Sequence, residues 1–359
     1  VKPFALLIKP AGPDCNLTCP HCFYSRKSAL FAPGPHRMRN DVLERLVKDY
    51  LGLRFRANSF IWQGGEPTLM GLSFYKSVVE LQSEHGAGGQ VVSNSLQTNG
   101  MFLDDAWCRL LKEYKWLVGI SLDGPQDLHD HYRKDAVGNG SFEKAMAGVE
   151  ACRRNQVHFN ILTLVTDNNC HSADRLFDFY VQRGFRFVQL IPCAEKGYSP
   201  QPQELGAFLC AVFDRWLAHG PGKMSVRLFD SLMMFALNGR HSDCTFGNGC
   251  DDYLVVEHDG SVYPCDFFVD DAWRLGNIME TPIEKLAASE KRQEFASRKR
   301  RKSNKCLVCR WNELCSGGCP KDRLAAGGWS EPSCFCEAYK QLFEHAMPRL
   351  TQLAAGLQR

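Results

Sequence analysis

The chain has 359 residues, enough for about two domains rather than one small core. Its 43 basic and 40 acidic side chains leave a formal charge of +3, too small an excess to argue for nucleic acid or a membrane surface, and no apolar run approaches the ~20 residues of a membrane span. Seventeen cysteines would read as a disulfide scaffold in a short secreted chain. Here the number is odd and many lie at ligand-like spacings, so metal binding in a reducing compartment is expected, with no leader before Val1 and a cytoplasm poor in oxygen as the setting.

The first strand is expected over 4–9. It runs into Cys15-Asn-Leu-Thr-Cys19-Pro-His-Cys22, a C-x3-C-x2-C loop with no further cysteine before Cys108. Iron–sulfur cubes are usually held by four thiolates. Three in one loop leave an iron open to a non-protein ligand; zinc is the alternative. A helix is expected over 41–51, where Val42, Leu46, Val47 and Tyr50 share a face and Asn40 takes the N-cap. A strand over 59–63 leads into Gln63-Gly64-Gly65-Glu66-Pro67, whose glycines allow backbone to approach a ligand closely. After a helix over 73–84, a strand over 90–96 leads to Gln97-Thr98-Asn99-Gly100. After a helix over 104–114, a strand over 117–122 ends in Ser121-Leu122-Asp123-Gly124-Pro125, with His131-Tyr132-Arg133 beyond. Helices over 141–155, 172–183 and 203–218 alternate with strands over 158–165 and 187–191. Six βα units in series imply a parallel sheet with right-handed crossovers. Six is two short of a full (β/α)8 barrel, so the α/β reading is an open, partial (β/α)6 TIM-like barrel over 1–240. By themselves, Arg133 has a surface ion pair as its alternative reading, and Leu190 reads equally well as core.

From about Asp243 the pattern changes. Strands over 253–256 and 261–263 flank Glu257-His258-Asp259-Gly260, a hairpin turn. Seven cysteines follow at 244, 250, 265, 306, 309, 315 and 319, the last four spaced C-x2-C-x5-C-x3-C, with Cys334 and Cys336 after them. Seven and one of the late pair make eight, enough for two fully ligated cubes; zinc in a four-thiolate knuckle is the redox-silent alternative. Loop-rich sequence is expected up to Cys336 and a final helix over 337–357, giving a cysteine-dense module over 241–359. The run Arg298-Lys299-Arg300-Arg301-Lys302 reads as a solvated helix end. Cys108, Cys152, Cys170, Cys193 and Cys210 fall in helix or strand patterns and read as buried thiols.

The three-cysteine loop followed by Phe23-Tyr24 resembles the radical S-adenosylmethionine (SAM) superfamily, and the later cysteines resemble its SPASM module. Cys265-Asp266 within Tyr263-Pro-Cys-Asp-Phe-Phe, together with the GGEP and SLDGP segments and the closing Cys336-Glu-Ala-Tyr-Lys, resembles the anaerobic sulfatase-maturating enzymes over nearly the whole chain. The resemblance implies three [4Fe–4S] clusters and SAM. Cys15, Cys19 and Cys22 would hold the first cluster. Gly64, Gly65 and Glu66 would meet the SAM amino group, Ser121 and Arg133 its carboxylate, and Leu190 its adenine. One auxiliary cluster would take Cys244, Cys250, Cys265 and Cys319. The other would take Cys306, Cys309, Cys315 and a late cysteine, Cys336 by its closing segment, with Cys334 the alternative.

The implied activity is oxidation of a Cys or Ser in a sulfatase to Cα-formylglycine. Asp266 would be the base, Tyr24 would order the substrate side chain, and Gln63 and Gln97 would hold peptide backbone. The implied partners are a sulfatase polypeptide with a Cys/Ser-x-Pro-x-Arg type of sequence and an electron donor such as flavodoxin or ferredoxin; the chain is expected to act as a monomer. Two other readings remain. One is a SPASM maturase that crosslinks a ribosomal peptide, which often carries an N-terminal recognition domain for which this chain has no room. The other is a non-catalytic iron–sulfur or zinc scaffold.

Overall fold

The computed structural model describes residues 1–357. Strands form where β-branched and aromatic residues collect between turn signals: β1 Ala5–Lys9, β2 Ala57–Trp62, β3 Val91–Thr98, β4 Leu117–Ser121, β5 His158–Val165, β6 Phe187–Pro192, β7 Ser225–Val226, β8 Tyr253–Glu257, β9 Ser261–Tyr263 and β10 Gly276–Asn277. The six expected βα units are all present, so the fold is α/β with a parallel sheet. Contacts group the chain into two compact units that cut across chain order. One comprises residues 1–121, 133–159 and 250–296, the other residues 122–132, 160–249 and the chain from 297 onward.

In the first unit the strands run in the order β10-β9-β8-β1-β2-β3-β4. β1, β2, β3 and β4 are parallel neighbours. The expected hairpin is β8–β9, antiparallel. β8 also pairs in parallel with β1, Ala5 opposite Tyr253 through Lys9 opposite Glu257. Aromatic packing fixes the end of β2: the fully buried Trp62 stacks on Trp116 at 6.3 Å, and Tyr75 meets both edge-on. The Trp62 indole donates to Asn94 Oδ1 at 2.9 Å, so burying its polar atom costs little. In the helix Asn40–Gly52, Val42, Leu46, Val47 and Tyr50 face the core as their spacing predicts. Asn40 is its first helical residue rather than the N-cap. Arg39 occupies the cap without a side-chain bond, and Asp41 accepts from both Arg39 and the Val42 amide.

In the second unit β5, β6 and β7 are parallel neighbours. The helix Pro202–His219 opens with Pro at N1 and a Gln201/Glu204 capping box. It packs closely on the final helix Cys336–Leu357: a Cβ at Gly206 would lie 2.2 Å from Gln341 Oε1 and 3.2 Å from Ala338 Cα, so a side chain there would push the Gln341 amide aside and crowd the Ala338 backbone. The segment expected to be loop up to Cys336 instead contains the helices Ile283–Ala287, Glu290–Arg300, Asn304–Leu307, Asn312–Cys315 and Pro320–Ala325. Four of them span six residues or fewer, too short for apolar periodicity to register, and Glu290–Arg300 is a charged segment with no apolar stripe. Among the described residues no helix is long and apolar enough to cross a membrane.

Candidate active site

β1 delivers the chain to the three-cysteine loop, and hydrogen bonds from backbone and from one asparagine pair hold that loop from three sides. The Gly65 amide donates to the Gly12 carbonyl (2.9 Å) and the Glu66 amide to that of Asp14 (2.7 Å). This fixes the Gly-Gly-Glu segment to the residues entering Cys15. A Cβ at Gly65 would sit 2.0 Å from the Asp14 carbonyl oxygen, so no other residue fits there. From another side, the Thr18 amide and hydroxyl donate to the Lys134 carbonyl (2.8 and 3.3 Å). Within the loop, Cys22 N–H closes a turn on Cys19 (3.1 Å). From the third side, the Asn99 amide group donates to Asn16 Oδ1 (2.7 Å).

Glu66 is fully buried. Its carboxylate accepts from Thr68 N, the Thr68 hydroxyl, the Thr98 hydroxyl (2.7 Å) and Asn99 N (2.8 Å). Burial pushes its carboxyl up, although those donors pull the other way. Glu66 thus ties the end of β2 to the end of β3, and the backbone of Gly64 and Gly65 is the part of this segment left to meet a ligand. Gln97 donates to Ser121 Oγ at 3.2 Å. Arg133 is partly buried, and its carbonyl accepts from the Ser141 hydroxyl at 2.8 Å. Leu190 lies buried in β6 of the second unit.

Asp266 is 8 % exposed and surrounded by donors. Oδ1 accepts from the Tyr253 hydroxyl at 3.2 Å, Oδ2 from Gln63 Nε2 at 3.3 Å, and Lys9 Nζ lies 3.8 Å from Oδ2. The same Tyr253 hydroxyl is 3.1 Å from Cys265 Sγ, so one side chain touches both the candidate ligand and the candidate base. Lys9 lies beneath the Tyr24 ring, 4.4 Å from its centre. The Tyr24 hydroxyl donates to the buried Glu257 carboxylate at 2.7 Å. Burial, reinforced by the Glu257 charge, pushes the Tyr24 phenol well above its ordinary range, so it stays protonated at neutral pH. Phe23 packs on Phe267 at 4.5 Å, joining the residue after Cys22 to the residue after Asp266. Gln63 and Lys9 thus reach Asp266, and Lys9 also meets Tyr24; Lys9, Tyr253 and Glu257 were not singled out from the sequence. Their signal was faint: Lys9 and Glu257 are lone charges ending apolar strands, and they lie opposite one another in the sheet.

In the second unit Cys306, Cys309, Cys315 and Cys336 line one cavity of about 130 Å³, with Trp311, Tyr339 and Phe343 also in its wall. Four thiols around one space suit a cube ligated only by cysteine. Cys334 does not line it; its amide bonds to the Asp322 carbonyl. Among the described residues no two cysteines form a disulfide, and the five expected to be core are buried.

Two buried cations brace this region. Lys299 Nζ donates to the carbonyls of Cys244, Thr245 and Gly318. The Arg323 guanidinium donates to those of Lys299, Arg301, Ser316, Gly317 and Gly318. Lys299 thus departs from the solvated helix end its sequence predicts: the helix Glu290–Arg300 turns it inward, where carbonyls around the cysteines need a donor. Burial pushes the Cys315 thiol up to about 11 and that of Cys319 to about 12, and Lys299 works against both shifts.

Comparison with known proteins agrees with this geometry. Residues 10–179 match the radical SAM superfamily and residues 244–310 the SPASM iron–sulfur cluster-binding domain. A cysteine-type anaerobic sulfatase-maturating enzyme of Clostridium perfringens is 39% identical over 99% of this chain and 100% of its own. A serine-type one of Bacteroides thetaiotaomicron is 33% identical over 97% and 90%. The solved structure of native anSMEcpe with bound AdoMet and Cp18Cys peptide superposes with a TM-score of 0.92 at 38% identity, covering 99% of both chains.

Proposed function

The chain belongs to the anaerobic sulfatase-maturating enzymes, within the radical SAM superfamily, and on that premise we propose that it oxidises a Cys or Ser side chain of a sulfatase peptide to Cα-formylglycine with Asp266 as the base. Cys15, Cys19 and Cys22 would hold the cluster that carries SAM. The Gly64–Gly65 backbone would receive the SAM amino group, Ser121 and Arg133 its carboxylate, and Leu190 its adenine. Cys306, Cys309, Cys315 and Cys336 would hold one auxiliary cluster and, by sequence resemblance, Cys244, Cys250, Cys265 and Cys319 the other. When bound, these groups supply a 5′-deoxyadenosyl radical that removes a β-hydrogen and a sink for the second electron.

The protein's own part is to place a base, hold it still and keep water out. Asp266 takes the proton of the substrate thiol or hydroxyl as that electron leaves, giving a C=S or C=O bond; water then replaces sulfur where the substrate is Cys. A base must lie within hydrogen-bond reach of its proton. Tyr253, Gln63 and Lys9 fix where the carboxylate points. Tyr24, anchored by Glu257, packs against Lys9, the cation beside the Asp266 carboxylate, where it would order the substrate side chain, and Gln63 and Gln97 stand at strand ends where peptide backbone would lie. The observation that carries the reading is Asp266 itself, buried, held by three partners and adjacent to Cys265. Cysteines in such number without a disulfide suit a reducing compartment, supporting a cytoplasmic setting.

The test is anaerobic incubation of the reconstituted protein with SAM, reductant and a short Cys-x-Pro-x-Arg peptide, read by mass spectrometry. Aldehyde formation with matching 5′-deoxyadenosine is expected. Deoxyadenosine with unchanged peptide would send the search to other peptides, and neither product, with iron and sulfide present, would overturn the reading.

A further inference from the structure

The thiol-lined cavity of the second unit opens beside an unusual piece of surface. The loop holding Cys306 and Cys309 exposes Leu307 (59 %) and Val308 (87 %), two apolar side chains with no core to join. Arg300, Arg301, Lys305 and Arg310, all exposed, come from the same short stretch of chain. Arg310 pairs with Glu344. Among the described residues, Arg300, Arg301 and Lys305 make no ion pair. Unneutralised positive charge next to an apolar centre is the composition of a docking patch that steers an oppositely charged partner and then seals against it. A solvated helix end would account for the charges but not for the bare Val308.

We propose that this surface, centred on Leu307 and Val308 and flanked by Arg300, Arg301 and Lys305, docks an acidic one-electron carrier protein. The proposal rests on the reading that Cys306, Cys309, Cys315 and Cys336 hold an iron–sulfur cube. Docking brings the carrier's redox group against Cys306 and Cys309. One electron leaves the cube, which is oxidised by one equivalent after taking up the second electron of the reaction, and enters the oxidised carrier, which is reduced by one; no bond is made or broken. Complementary charge raises the encounter rate, and salt screens it over about 8–10 Å at ordinary ionic strength.

The test uses the cluster-loaded protein and an oxidised acidic flavodoxin, with affinity read by calorimetry at low and high salt. In R300E/R301E/K305E the dissociation constant is expected to rise at least tenfold at low salt and to lose most of its salt dependence. V308D, at a position with almost nothing packed on it, is expected to weaken binding severalfold by itself. Peptide conversion driven by dithionite, which needs no docking, is expected to stay at the wild-type level in both variants, showing that the cluster reading stands independently. Unchanged flavodoxin affinity in both variants would overturn the proposal. So would an equal loss of dithionite-driven conversion, which would assign the patch to the peptide or to the fold.

Discussion

The loop of Cys15, Cys19 and Cys22 is held without buried charge: by amides of Gly65 and Glu66 on one side, the Lys134 carbonyl on another, and an asparagine side-chain pair on the third. Cys306, Cys309, Cys315 and Cys336 line a cavity in a region braced by charge, with Lys299 and Arg323 buried among eight carbonyl bonds. The difference suits the tasks proposed for the two sets of cysteines. A three-thiol loop must leave room for a small ligand, so its surroundings are glycines and main chain. A four-thiolate site collects negative charge in a poor dielectric, which buried cations offset.

Seven substitutions at six positions would break or sharpen that contrast. The largest effect is expected from Asp266→Asn, which leaves the three-cysteine loop intact. Peptide aldehyde should fall by about 10²–10⁴-fold, the usual contribution of a general base, while deoxyadenosine persists; wild-type aldehyde yield would remove Asp266 from the mechanism. Arg323→Met strips five carbonyls of their buried donor and should lower stability by at least about 3 kcal/mol, seen in anaerobic thermal melts. An unchanged melt would mean the cations are ornamental to the second field. Cys336→Ser should remove about one cube, roughly four irons per chain, whereas Cys334→Ser should retain full iron. The reverse result in an iron assay would exchange their roles.

Lys9→Met tests the missed cation. Aldehyde formed per deoxyadenosine should drop about tenfold, with Lys9→Arg recovering part of it; an unaltered ratio would make Lys9 a packing residue. The smallest effect is expected at Asp214, which binds His345 and Arg349 across the helices Pro202–His219 and Cys336–Leu357. Burial raises its carboxyl, but those two partners outweigh burial and leave it below the usual range. A carboxyl lowered on folding stabilises the protein above its unfolded pKa, and that contribution is lost as pH falls through the folded value. Asp214→Asn should therefore cost only about 0.2–1 kcal/mol at neutral pH and flatten the acid limb of stability. An identical acid limb in the two proteins would show that the clip is idle.

Much of this was legible in the chain. The alternation of apolar runs and amphipathic segments located six strands and their helices, because sheet and helix periods leave different marks on sequence. Cysteine spacing located both fields, since ligand geometry restricts how far apart cysteines can be along a chain. What stayed hidden was long-range. Lys9 and Glu257 look like ordinary strand ends until β8 lies against β1. Tyr253 looks like a strand aromatic until its hydroxyl is seen to reach both Cys265 and Asp266. Lys299 sits in a run of like charges, and only the turn of its helix separates the buried member from its exposed neighbours.

The parallel pairing of β1 with β8 also sets an order of events during synthesis. The first strand leaves the ribosome with the three-cysteine loop close behind it, yet its partner strand is made only in the last third of the chain. A contact so distant in sequence closes late and slowly. Through most of translation β1 therefore has β2 on one side and an open edge on the other, while Gly65, Asn99 and Lys134, which grip the three-cysteine loop, are already made. The loop can form long before its sheet is closed.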